Sequence, residues 1–131
     1  MSAENDANRK LAIRFIDTIV TGKVDNFDQI VAPDARFFIL GRGWIEHDPY
    51  MTAVKNTILS ASRRDVRVVG STAEGERVAL ELEGRFDFPD GRVYQNSYHH
   101  IFIIRDGKIV CVKEYMDTAA TIAAFGERRG A

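Results

Sequence analysis

The stretch Tyr94-Gln-Asn-Ser-Tyr-His-His-Ile-Phe-Ile-Ile-Arg105-Asp-Gly-Lys-Ile-Val-Cys-Val-Lys-Glu-Tyr-Met-Asp117 decides the fold. Two runs rich in β-branched and aromatic residues flank Arg105-Asp106-Gly107-Lys108. A turn of this composition between two such runs is a strong hairpin signal. Thr118 to Phe125 then reads as a helix. The second run ends on Asp117, a carboxylate amid apolar residues. Asp117 has two compatible readings: the N-cap of the last helix, or an acid/base group mounted rigidly at a strand end.

Upstream of the hairpin, Arg77 to Phe88 is the best alternating strand in the chain. Val78, Leu80, Leu82, Phe86 and Phe88 share one face, and Ala79, Glu81, Glu83, Arg85 and Asp87 share the other. Arg63 to Thr72 reads as a strand before it, joined by the turn Ala73-Glu74-Gly75-Glu76. Pro89-Asp90-Gly91-Arg92 turns into the hairpin. Towards the N-terminus, Leu11, Ala12, Phe15, Ile16, Ile19 and Val20 form one broad apolar helix face over residues 8–21, closed by Gly22. A short helix over residues 27–31, a β-like run from Arg36 to Leu40, and the break Gly41-Arg42-Gly43 follow. Asp48-Pro49 predicts a helix start, with a capping acceptor and proline at the first position, running to about Ala61. His47, just before it, is expected at the surface. Segregated helices followed by consecutive antiparallel strands predict an α+β domain with a curved sheet.

With 131 residues, the chain is the size of one domain. It reads as a single unit over 1–131, with flexible tails at 1–7 and 126–131. A chain of this length buries roughly two-thirds of its unfolded surface and needs no staple. The net charge of −1, with both signs mixed along the chain, argues against a nucleic-acid or membrane-surface role. Cys111 is the single cysteine, so no internal disulfide or CxxC site is available, and its apolar run suggests a buried, inert thiol. No apolar stretch has the length to span a bilayer. The polar, acidic Met-Ser-Ala-Glu-Asn-Asp start is unlike a signal peptide, which makes the cytoplasm the expected location.

Arg85 and Asp87 project from one face of their strand, about 7 Å apart, where a guanidinium can hold a carboxylate ionised. The bland reading is a solvated strand face. Adjacent His99 and His100 point to opposite sides, so one strand sends a single histidine inward. Zinc requires three or four convergent ligands, and no such spacing occurs. The expectation is therefore no metal and no cofactor. Trp44 beside a glycine-rich turn is a candidate pocket wall, although core packing is the general role of the other aromatic residues.

The order of elements resembles the cone-shaped fold shared by nuclear transport factor 2, ketosteroid isomerase, scytalone dehydratase and the SnoaL-like polyketide cyclases. The resemblance covers roughly residues 8 to 125. Its most telling segment runs from Asn96-Ser97-Tyr98 through Arg105-Asp106-Gly107-Lys108-Ile109 to Glu114-Tyr115-Met116-Asp117. It implies an α+β, NTF2-like cone with a mostly antiparallel mixed sheet wrapped around the N-terminal helices and an internal pocket. Ketosteroid isomerases carry a base at a place that falls near Phe38-Ile39-Leu40 here, with no carboxylate, and their second acid falls at about His99. The Asp-Arg-Asp set of limonene epoxide hydrolases is matched in order by Arg85, Asp87 and Asp117. Phe37 and Ile39 stand where those enzymes hold their water.

These likenesses imply a cofactor-independent enzyme that works on a small, largely apolar molecule by carboxylate acid/base catalysis. The reaction would be epoxide hydrolase-, isomerase- or cyclase-like. Asp117 is the candidate base, Asp87 the acid, Arg85 their bridge and His99 a polar contact, although the sequence leaves open which histidine of the pair faces the pocket. Trp44, Tyr115, Phe15, Phe38 and Ile101 are the candidate walls. The competing reading is a non-catalytic ligand-binding or protein-interaction module. An apolar outward sheet face carrying Leu80, Leu82, Phe86, Phe88 and Phe102 would suggest a homodimer through the sheet.

Overall fold

A computed structural model describes residues 2–126. Helix α1 spans Ala3–Thr21, α2 Phe27–Ile30, α3 His47–Asn56 and α4 Thr118–Phe125. The strands are β1 Val31–Ile39, β2 Gly43–Glu46, β3 Arg63–Glu74, β4 Arg77–Asp87, β5 Val93–Arg105 and β6 Lys108–Met116. They form one sheet in the order β2-β1-β6-β5-β4-β3. β1 runs parallel to β6 and every other pairing is antiparallel. Register shifts at Val31/Arg36, Val68/Gly70 and Ile103/Ile104 interrupt the ladders, and such irregularities bend a sheet. The result is the α+β cone that the resemblance implied.

The β5–β6 hairpin is present as its sequence predicts. Asp106 and Gly107 both have positive φ, 52° and 74°. That is the backbone a two-residue turn needs to match strand twist, and Asp-Gly supplies it at low cost. α1 begins earlier than the apolar stripe suggested, because Ser2 Oγ caps Asn5 N–H at 3.0 Å and Glu4 and Asp6 favour the first turn. Residues 3–7 are thus helical, not a tail. Of the expected C-terminal tail, residues 127–131 lie outside the described residues.

α3 differs from expectation at both ends. It starts at His47, with no side-chain cap from Glu46, and stops at Asn56 before a short 3-10 turn at Ile58–Ser60. Asp48 does not cap it, because its carboxylate meets His47 Nδ1 at 2.8 Å. His47 Nε2 meets Asp28 at 2.9 Å, and the ring packs edge-on to Phe27. The imidazole side chain is therefore 14% exposed, not at the surface.

The sheet's apolar face is the concave one, which corrects the sequence reading. Leu80, Leu82, Phe86, Phe88 and Phe102 are all at most 5% exposed. The α1 residues Ala12, Phe15 and Ile16 join Leu80, Leu82 and Phe102 in the main core, and Phe15 meets Phe102 edge-on at 5.4 Å. A curved sheet around a helix has a dry inside and a wet outside, so the most apolar parity of each strand must face in. The argument for a homodimer through those five residues falls with this. A second core cluster, Ala61, Phe86, Phe88 and Tyr94, is packed by Ala120, Ala124 and Phe125 of α4. Gly84 lies between these regions. A Cβ there would sit 3.0 Å from the Tyr98 ring and 3.1 Å from the Phe86 ring.

Candidate functional site

Parity fixes what enters the cone. On β5, His100 shares its face with Tyr94, Asn96, Phe102 and Ile104, all buried. Cross-strand pairing places Leu80 on one side of His100 and Glu114 on the other. Paired residues lie on the same face, so the Glu114 carboxylate enters from β6. From α3, Tyr50 stacks on Phe37 with ring centroids 3.8 Å apart and donates its hydroxyl proton to Glu114 Oε2 at 2.6 Å. A phenol bonded to a carboxylate at this distance is a strong, charge-assisted pair.

These groups line a partly open cavity of about 110 Å³. Its walls are Phe15, Ile16 and Ile19 of α1, Ile39 of β1, Val54 of α3, Leu82 and Phe86 of β4, Met116 of β6 and Phe125 of α4. Among the described lining residues Glu114 is the one carboxylate, and there is no lysine or arginine. The half-buried lining residues Val20, Thr57, Ile58 and Phe125 lie at or just beyond the C-terminal ends of α1, α3 and α4.

His100 is the unusual member. It is 8% exposed, and both ring nitrogens are buried with no hydrogen-bond partner among the described residues. Each unsatisfied buried polar atom costs about 1–3 kcal/mol. Burial, with a smaller contribution from His99, pushes its pKa down to about 3. The imidazole is therefore neutral at ordinary pH, with one N–H to donate and one lone pair to accept. Burial first, and then Glu114, hold the Tyr50 hydroxyl well above its usual range. Tyr98 is likewise raised by burial and by Tyr94. Both phenols stay protonated donors.

The sequence-derived carboxylate set is elsewhere. Arg85 Nε bonds Asp87 Oδ1 at 3.0 Å, so those two do meet. Their side chains are 47% and 27% exposed on the convex face, where such pairs are worth little. Asp117 is exposed, and its Oδ1 accepts from Ala119 N–H at 3.0 Å as the cap of α4. Its backbone is fixed by buried Asn96, whose Oδ1 accepts from Asp117 N–H at 3.0 Å and whose Nδ2 donates to Asp117 O at 2.9 Å. Arg85 and Asp117 border a separate, open surface groove and do not line that cavity.

His99 is exposed, opposite His100. Of the candidate walls, Phe15 lines the cavity. Trp44, Phe38 and Tyr115 form an aromatic cluster on the convex face, with Arg36 stacked 4.8 Å over Trp44. Half-buried Ile101 pairs with Ala79 and Lys113 and points the same way. Cys111 is half-buried, not buried, and partial burial raises its thiol pKa. No cluster of histidine, cysteine and acidic side chains among the described residues has the arrangement of a metal site. No helix among them is long and apolar enough to cross a membrane.

A family model for the SnoaL-like domain matches residues 12–112. The chain belongs to the SnoaL-like family. Solved structures share the fold across nearly its whole length. A candidate SnoaL-like polyketide cyclase from Jannaschia sp. CCS1 is 18% identical, with 96% of each chain covered and a TM-score of 0.84. IdmH, a candidate polyketide cyclase from Streptomyces antibioticus, is 17% identical over 91% of this chain and 98% of its own, with a TM-score of 0.77. An LEH-like epoxide hydrolase of M. tuberculosis is 16% identical over 92% and 90%, also at 0.77. At these identities the likeness is one of fold. No curated protein matches the chain significantly.

In this SnoaL-like cone, sequence reasoning missed Glu114 and Tyr50, and it left open which of His99 and His100 faces inward. The available signal was parity: Glu114 alternates with Val112 and Met116, and His100 with Phe102 and Ile104. Assigning the apolar parity to the outside hid Glu114 and left the histidine pair unresolved. Tyr50 carried no comparable signal.

Proposed function

We propose that this SnoaL-like protein abstracts a proton from the carbon next to a carbonyl group inside the cone, with Glu114 as the base. The observation that carries this reading is His100: a neutral imidazole with two orphaned nitrogens, buried directly across the strand pair from the cavity's carboxylate. A carboxylate base paired with a neutral imidazole is a recognised arrangement for enolisation. Glu114 takes the α-proton, and the C–H electron pair moves onto the carbonyl oxygen. The His100 N–H donates a hydrogen bond to the oxyanion as it develops, in a water-poor site where that bond is strongest. Tyr50 orients the base through its 2.6 Å hydrogen bond.

Return of the proton to another carbon gives isomerisation. Attack of the enolate on a second carbonyl, with the Glu114 proton passed to the alkoxide so formed, gives cyclisation. Epoxide hydrolysis fits less well, because the cavity offers one carboxylate where an acid and a base must flank the substrate. The family membership and the cyclase neighbours support a small-molecule acid/base enzyme in general terms. On this reading Arg85, Asp87 and Asp117 are structural.

The test is deuterium incorporation at the α-carbon of small ketones in heavy water. Glu114→Gln should lower the catalysed rate by about 100-fold or more, the usual scale of a general base. Undiminished exchange in that variant overturns the assignment.

A further inference from the structure

The cavity also limits what can be bound. Its volume is about 110 Å³. Ordinary small-molecule sites run from about 300 Å³ upward, and even one benzene ring takes an apolar cavity of about 150 Å³, so a single small ring is the upper limit here. Part of the wall is built of packed rings. Tyr50 lies 3.8 Å from Phe37 at an interplanar angle of 7°, and Tyr94 packs edge-on to Phe125 at 5.0 Å. The Tyr98 and Phe86 rings already occupy the space that Gly84 leaves. Widening the cavity there would break these ring contacts.

Charge is limited in the same way. With Glu114 inside and no arginine or lysine among the described lining residues, an anionic ligand would lose its hydration and gain no counter-ion. His100 cannot supply that counter-ion while it is neutral. What it does offer is a hydrogen bond for one ligand oxygen, set in otherwise apolar walls such as Ile39, Val54 and Met116.

We propose that the cavity takes an uncharged ketone or enone no larger than a single six-membered ring, with its oxygen on His100, and excludes fused polycycles and carboxylates. The inference rests on the acid/base reading for what happens to that ligand, but not for its size and charge.

The experiment is a methyl-NMR titration of the whole chain, labelled at leucine and methionine methyls, with four probes: cyclohexanone, methylcyclohexane, 1-tetralone and cyclohexanecarboxylate. Cyclohexanone should shift the Leu82 and Met116 signals saturably, while 1-tetralone and cyclohexanecarboxylate leave them unmoved. His100→Leu should weaken cyclohexanone at least fivefold and leave methylcyclohexane unaffected. Binding of 1-tetralone or cyclohexanecarboxylate as tightly as cyclohexanone overturns the inference, as does an absence of cyclohexanone binding. Deuterium incorporation followed in the same samples separates the two claims. Glu114-dependent exchange of 1-tetralone would overturn the size limit and leave the acid/base reading intact. Saturable cyclohexanone binding without exchange would support the ligand class and overturn the acid/base reading.

Discussion

The inside of the cone and its outer rim carry similar side chains in opposite circumstances. At the rim, Asp87 is paired with Arg85 and Asp117 caps a helix, and all three reach solvent. Inside, the His100 ring nitrogens have no hydrogen-bond partner among the described residues, and Glu114 is approached by a buried phenol. The rim groups have what they need from the protein. The cavity groups include one whose hydrogen-bonding capacity the protein leaves open. A motif counts residue types, whereas chemistry depends on which of them are dry and unsatisfied.

The severest challenge to this contrast is at Asn96. It holds both backbone groups of Asp117 and also donates to Tyr94 Oη at 2.9 Å. Asn96→Ala leaves several buried groups unpaired and should cost about 3 kcal/mol, measured by urea unfolding. A loss below about 1 kcal/mol would show that the rim is not anchored this way.

A second challenge concerns His100, which is faced by Glu114 from β6, Tyr50 from α3 and Tyr98 along β5. Its folded pKa of about 3 lies below its unfolded value. As pH falls from about 6.5 towards 3, the unfolded chain takes a proton that the folded chain refuses. Stability should therefore fall by up to about 1.4 kcal/mol per pH unit from this group. The His100→Leu variant should lose that slope. An unchanged slope in the variant would assign the acid sensitivity to other groups.

A third separates the two readings of Asp117. Replacing it with alanine removes a cap and should cost about 1 kcal/mol, while asparagine, an equally good cap, should cost a few tenths. The smallest effect is expected at the convex pair. Arg85→Ala or Asp87→Ala should change stability by about 0.5 kcal/mol or less, as exposed ion pairs do. A double-mutant cycle giving several kcal/mol would place that pair inside the working machinery after all.

Much of the fold was legible because it is local. The Asp106-Gly107 turn, the alternation of β4 and the stripe on α1 each announce themselves within a dozen residues. Strand parity was legible too, but parity alone does not say which face is inside. That depends on the direction in which the sheet curls around α1, a property of the assembled cone. One inverted face sent Leu80 and Phe102 outward and drew Phe38, Tyr115 and Ile101 inward. It also hid Glu114. The Tyr50–Glu114 pair joins residues 64 apart in sequence, so no spacing rule could have found it. Arg85 and Asp87 were correctly placed beside each other, because a two-residue strand interval fixes that distance whichever face is wet.

Catalysis, on this reading, resides in the dry interior and not at the rim. The decisive comparison is between Glu114→Gln and Asp117→Asn, both folded, for deuterium exchange into a small cyclic ketone. The expected result is a loss of about 100-fold or more in the first and a rate within about twofold of the parent in the second, because asparagine keeps the cap. Exchange that survives in the Glu114→Gln variant and vanishes in the Asp117→Asn variant would contradict it.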